Sequence, residues 1–136
     1  MSKRNAIILL VVVAVLAVAA AVYTTDLMSG GVDPGDVSIQ IAQELIEKKG
    51  DLVILDVRTV SEFDDGHIKE AINIPVQELP DRLDELDKND ELLVYCKTGR
   101  RSSTAVKILE EAGFTKIYNM HEGISAWIEQ GFSIVQ

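Results

Sequence analysis

Leu92-Leu93-Val94-Tyr95-Cys96-Lys97-Thr98-Gly99-Arg100-Arg101-Ser102-Ser103 reads as strand, loop and helix in twelve residues. The apolar run Leu92 to Tyr95 has the continuous character of a strand buried on both faces of a parallel sheet. The polar run that follows contains Gly99, which permits backbone that a side chain resists. Beyond it, Ala105, Ile108, Leu109 and Ala112 recur at helical spacing up to Gly113. Cys96 therefore sits on the turn from strand to helix. Backbone N–H groups of a short loop entering a helix form a nest for anions, and the helix start adds partial positive charge. Both favour thiolate over thiol, and the thiolate is the nucleophile.

The same alternation extends in both directions. Ser38 is placed to cap a helix whose Ile41, Ala42, Leu45 and Ile46 share a face, with Gly50 as its stop. Leu52-Val53-Ile54-Leu55 is a second buried strand, ended by Asp56, and Ala71-Ile72-Asn73-Ile74 is a further short strand, closed by Pro75. Leu79, Leu83 and Leu86 predict a helix over residues 76–86. Ile117-Tyr118 continues the strands, and residues 123–128 form a last short helix. Strands alternating with helices imply a three-layer α/β domain with a mainly parallel central sheet, over residues 38–136. In such sheets functional groups collect at the carboxyl ends of the strands. Cys96 and Asp56 occupy those positions. Asp56 and Arg58 are supporting residues: the carboxylate is placed either to hydrogen-bond the loop or to pair with Arg58.

Charge separates this domain from what precedes it. The chain carries −9 overall, with no acidic residue before Asp26. From Thr24 onward 11 Lys and Arg face 22 Asp and Glu, a net of −11. That balance excludes a nucleic-acid footprint, which needs a basic face. Lys97, Arg100 and Arg101 gather three of those 11 cations at one loop, a local attractor for small anions. The single cysteine excludes an internal disulfide or a Cys-rich zinc site. No His, Asp and Glu cluster has metal-ligand spacing, so no metal is expected. His121, after the Ile117 strand, is a secondary candidate for the mouth of the site.

Residues 6–22 contain only Ala, Val, Ile and Leu. A helix of this run is about 26 Å long, and with Tyr23 it approaches the thickness of a bilayer core. Lys3 and Arg4 precede it within a five-residue N-terminus, residues 1–5. The expected arrangement is a transmembrane helix over residues 6–23 in contact with the lipid bilayer, the N-terminus cytoplasmic and the domain extracytoplasmic. The competing expectation is a signal segment, with Ala17, Ala19 and Ala21 as small-residue cleavage patterns and a secreted or periplasmic product. Residues 24–37, with Gly30, Gly31, Pro34 and Gly35, read as a linker.

The pattern Cys96-x-x-Gly99-x-Arg101 resembles the active-site loop of the rhodanese family. Leu55-Asp56-Val57-Arg58, Glu62-Phe63, Gly66-His67-Ile68 and Ala71-Ile72-Asn73-Ile74-Pro75 are similar to the family's amino-terminal motif. Gly113-Phe114, Ile117-Tyr118-Asn119, Gly123-Ile124 and Ala126-Trp127 resemble its carboxy-terminal motif. One departure is Glu122-Gly123, where the family commonly has paired glycines. The resemblance implies a rhodanese-like fold and a sulfurtransferase that needs no cofactor. Cys96 would carry sulfane sulfur as a persulfide, from a small anionic donor such as thiosulfate to cyanide or a thiol-containing acceptor, a small molecule or a thioredoxin-like protein. Lys97, Thr98, Gly99, Arg100 and Arg101 would bind the donor. Two other readings compete: a tethered persulfide carrier with little turnover, and a cysteine-dependent phosphatase. Such phosphatases place one more residue between Cys and Arg. Here four residues separate Cys96 from Arg101, and a shorter loop cradles one sulfur better than a tetrahedral phosphoryl group.

Overall fold

Short apolar strands with no polar face can be buried only between helical layers. The computed structural model, which describes residues 31–136, arranges them that way. Five strands form one sheet: β1 (Gly35–Val37), β2 (Val53–Asp56), β3 (Ile72–Asn73), β4 (Leu92–Tyr95) and β5 (Ile117–Met120). Their spatial order is β1-β5-β4-β2-β3, and every pairing is parallel. All four residues of β4 and of β5 are buried. Val53 pairs with Leu92 and Asp56 with Tyr95, so β2 and β4 end level and present Asp56 and Cys96 at the same edge.

Among the described residues three α-helices lie between strands, α1 (Ile39–Lys48), α2 (Val60–Asp65) and α3 (Arg100–Glu111), and α4 (Gly123–Glu129) follows β5. Leu55, Leu92, Val94, Cys96 and Ile117 pack with Ala105 and Leu109 of α3. Tyr118 and Met120 take part in the core on the alternate positions of β5, where α1 packs against that strand and against α4. Ser38 caps α1, its hydroxyl accepting from the Ile41 N–H at 3.3 Å. The face α1 buries is Ile39, Ala42 and Leu45. Ile41 and Ile46 are only half-buried, because the buried stripe starts at Ile39, two positions before the expected one.

Three elements differ from expectation. Residues 76–86 form two short 3-10 turns, Leu79–Asp81 and Leu83–Glu85, in place of one helix. Pro80 lacks the N–H that an α-helix interior requires, and the bonds close at i−3, as in Arg82 N–H to Leu79 O at 3.1 Å. Gly35–Val37, expected within the linker, pairs with Tyr118–Met120 as the edge strand of the sheet. The third is α2, a six-residue helix that begins at Thr59. There the Thr59 hydroxyl accepts from the Glu62 N–H at 3.3 Å while Glu62 accepts from the Thr59 N–H at 3.1 Å.

The transmembrane or signal segment expected at 6–23, with the first half of the linker, residues 24–30, lies outside the described residues. Among the described residues no helix is long and apolar enough to cross a membrane.

Candidate active site

The thiol of Cys96 is fixed by what surrounds the turn after β4. Gly99 has φ +99°, the left-handed conformation that lets the chain reverse into α3. The reversal brings the Gly99 N–H to 3.1 Å from Cys96 Sγ. In the neutral form the thiol donates to Ser102 Oγ at 3.6 Å and the Ser102 hydroxyl donates to Gly99 O at 3.1 Å; when the thiol ionises, the hydroxyl can turn its proton to the sulfur instead. Cys96 is 1% exposed. Burial alone pushes such a thiol up, because it penalises the charged form. The Ser102 N–H and hydroxyl, with the N–H groups of Thr98 and Gly99, outweigh that and hold Cys96 below its ordinary value. The sulfur thus sits at the floor of a nest of donors that favours its charged form.

The loop rests on a second loop, between β5 and α4. The Ile124 N–H donates to Cys96 O at 2.8 Å and the Ser125 N–H to Lys97 O at 3.1 Å. Such close backbone contact needs glycines on both sides. A side chain at Gly99 would meet His121 O at 1.8 Å, and one at Gly123 would meet Lys97 O at 2.2 Å. The Glu122-Gly123 departure retains the glycine that this contact requires. The His121 ring is engaged at β1, where its Nδ1 lies 3.1 Å from Val37 O.

Asp56 and Arg58 form a buried ion pair beneath the site. Arg58 Nη2 lies 2.6 Å from Asp56 Oδ2, and the same nitrogen donates to Gly66 O at 2.7 Å. Asn73 Nδ2 donates to the carbonyls of both residues at 3.0 Å. Asp56 therefore pairs with Arg58; no bond joins its side chain to the cysteine loop.

The five loop residues expected to bind a donor are not equivalent. Lys97, Thr98 and Arg100 are exposed, while Gly99 is buried. Lys97 lines a shallow cavity of about 220 Å³ together with Arg58, Glu62, Asp65, Ile124 and Ile128. Arg101 is engaged elsewhere: Nη1 and Nη2 bind Glu62 Oε2 and Oε1 at 2.7 and 2.9 Å. Arg101 foremost, then the Thr59 N–H and hydroxyl, outweigh burial and lower the Glu62 carboxyl from 4.5 to about 2. Neither Glu62 nor Ser102 was expected as a site residue. Thr59-Val60-Ser61-Glu62 carries a local helix-start signal, but its link to Arg101 spans 39 residues. A larger cavity, of about 430 Å³, lies over the β1–β5 edge and includes none of the loop residues.

A parallel α/β domain with a stabilised thiol on its strand-to-helix turn defines a class of cysteine-loop proteins. Residues 38–130 match the rhodanese-like domain, and the chain belongs to that family. It is similar to a sulfurtransferase of Allochromatium vinosum, 33% identical over 98 residues that cover 72% of this chain and 91% of that protein. It is 34% identical over 92 residues to YrkF of Bacillus subtilis; the match covers 68% of this chain and only 50% of YrkF. Among solved structures, a rhodanese-related protein of Thermoplasma volcanium is similar with a TM-score of 0.67 and 33% identity, over 74% of this chain and 96% of that one.

Proposed function

We propose that this protein is a sulfurtransferase that moves sulfane sulfur through a persulfide on Cys96. The observation that carries the reading is the nest at Cys96 Sγ, with the Gly99 N–H at 3.1 Å and the Ser102 hydroxyl beside it. With thiosulfate, the Cys96 thiolate attacks the outer sulfur. A new S–S bond forms at Cys96, the S–S bond of thiosulfate breaks, and its electron pair leaves with sulfite. Two negative charges arrive on the donor and two leave on sulfite, so Cys96 remains a monoanion as its persulfide. The same N–H groups that stabilise the thiolate then stabilise the terminal sulfur. Cyanide or a thiolate attacks that sulfur and regenerates the Cys96 thiolate. Lys97 and Arg100 are the cations free to meet the donor.

Intact mass spectrometry after incubation with thiosulfate tests this. The expected result is a gain of about 32 Da, one sulfur, lost again on adding cyanide and absent in Cys96→Ser. A wild-type protein that gains no sulfur from thiosulfate or from an organic persulfide would sink the reading. Hydrolysis of an aryl phosphate by that protein would replace it with phosphoryl transfer.

A further inference from the structure

The inference concerns donor choice at the same site and rests on the sulfurtransferase reading. By sequence, the loop offers three cations to an anion. The fold removes one of them. Arg101 gives both terminal nitrogens to Glu62, at 2.7 and 2.9 Å. Glu62 is itself held: Thr59 N–H and Thr59 Oγ1 lie 3.1 and 3.0 Å from its Oε2. The pair is therefore a fixed, neutral unit rather than a flexible cation. Arg58, which lines the cavity beside Glu62 and Lys97, is neutralised by Asp56. What remains there is one uncompensated cation, Lys97, and one carboxylate, Asp65. Lys97 and Arg100 are thus the loop cations left to meet a donor, and the third, Arg101, adds no net charge to their field.

We propose that Glu62 is a positioning residue that sets donor selectivity: by locking Arg101 in a neutral pair, it disfavours dianionic donors relative to persulfides carrying at most one charge. The persulfide route balances without a co-reactant. The Cys96 thiolate takes the outer sulfur of R–S–SH, the S–S bond breaks, the electron pair leaves as R–S⁻, and the proton passes to solvent from the new persulfide.

The test compares loading rates of Cys96, read by quenched-flow mass spectrometry at low ionic strength with no acceptor present. The donors are thiosulfate and the persulfide of N-acetylcysteamine, whose only charge is on its terminal sulfur. Glu62→Gln leaves Arg101 cationic, so the thiosulfate-to-persulfide rate ratio should rise about threefold to tenfold, the effect of one unit charge several ångströms away in a partly solvated site. Arg101→Gln leaves a bare carboxylate, so the ratio should fall by a similar factor. The double variant restores neutrality, and its ratio should return to within about twofold of wild type. High salt should compress all these differences. The opposite signs keep the test intact if either single variant folds poorly. A parallel change with both donors would mean that the pair is only structural, and would overturn the proposal while leaving the sulfurtransferase reading standing. Failure of the wild type to load from either donor would overturn both.

Discussion

Gly123→Ala puts the contact between the two loops to the test. Gly123 has φ +74°, and a methyl there would lie 2.2 Å from Lys97 O, 2.4 Å from Lys97 C and 2.6 Å from Thr98 N. All three atoms are backbone, so no rotamer change relieves the clash. Ordinary van der Waals separation requires the loops to part by about 1 Å. Left-handed backbone adds about 1–2 kcal/mol for a residue with a Cβ. Separation also breaks the Ile124–Cys96 and Ser125–Lys97 hydrogen bonds, now 2.8 and 3.1 Å, at about 1 kcal/mol each. Together these destabilise the domain by about 3–4 kcal/mol, a fall in Tm of about 12–30 °C for a domain of this size. A shift of about 1 Å at the nucleophile should also lower sulfur transfer on the order of 100-fold. Circular dichroism melting and thiocyanate formation from thiosulfate and cyanide measure the two effects. Gly131→Ala is the control: φ is +88°, but nothing lies within 4 Å of its methyl position. It should show the backbone strain alone and keep its activity. A Gly123→Ala protein melting within about 3 °C of wild type with undiminished transfer would refute the packing argument.

The remaining predictions follow from the groups around that contact. Ser102→Ala removes a hydroxyl that favours the charged sulfur, so the pH midpoint of Cys96 alkylation by iodoacetamide should move up from a wild-type value below that of an ordinary thiol. Asp56→Ala leaves Arg58, 6% exposed, without its partner; urea unfolding should show a loss of about 3–5 kcal/mol. Glu62 is depressed in the folded chain from 4.5 to about 2, so its contribution to stability is complete above pH 4.5 and is lost as pH falls towards 2. Urea midpoints across that window should fall more steeply for wild type than for Glu62→Gln.

What sequence could and could not convey about this protein divides along a physical line. Leu92 to Tyr95 and Val53 to Asp56 are legible because burial on both faces forces an unbroken apolar run, and the turn holding Cys96 is legible because Gly99 must follow it. These are local consequences of where a segment lies. The Val76 to Leu86 region misleads because apolar spacing is satisfied by 3-10 turns as well as by a helix, and Pro80 decides between them. Gly35–Val37 misleads in the opposite sense. An edge strand of three residues has no apolar pattern of its own and exists through its pairing with β5.

The charges at the site follow the same logic and bear on function. Counting Lys97, Arg100 and Arg101 along the chain gives a strongly cationic mouth, but the field a donor meets depends on carboxylates delivered from elsewhere in sequence. Glu62 reaches the loop from 39 residues away. Its own position follows from a capping arrangement that is local to Thr59. One carboxylate thus caps the start of α2, clamps the end of the cysteine loop and cancels the charge of Arg101. A chain that kept Cys96 through Arg101 but lost Glu62 would retain the loop motif with a different electrostatic field. Differences in donor preference between chains that share this loop should therefore be sought first at the position of Glu62.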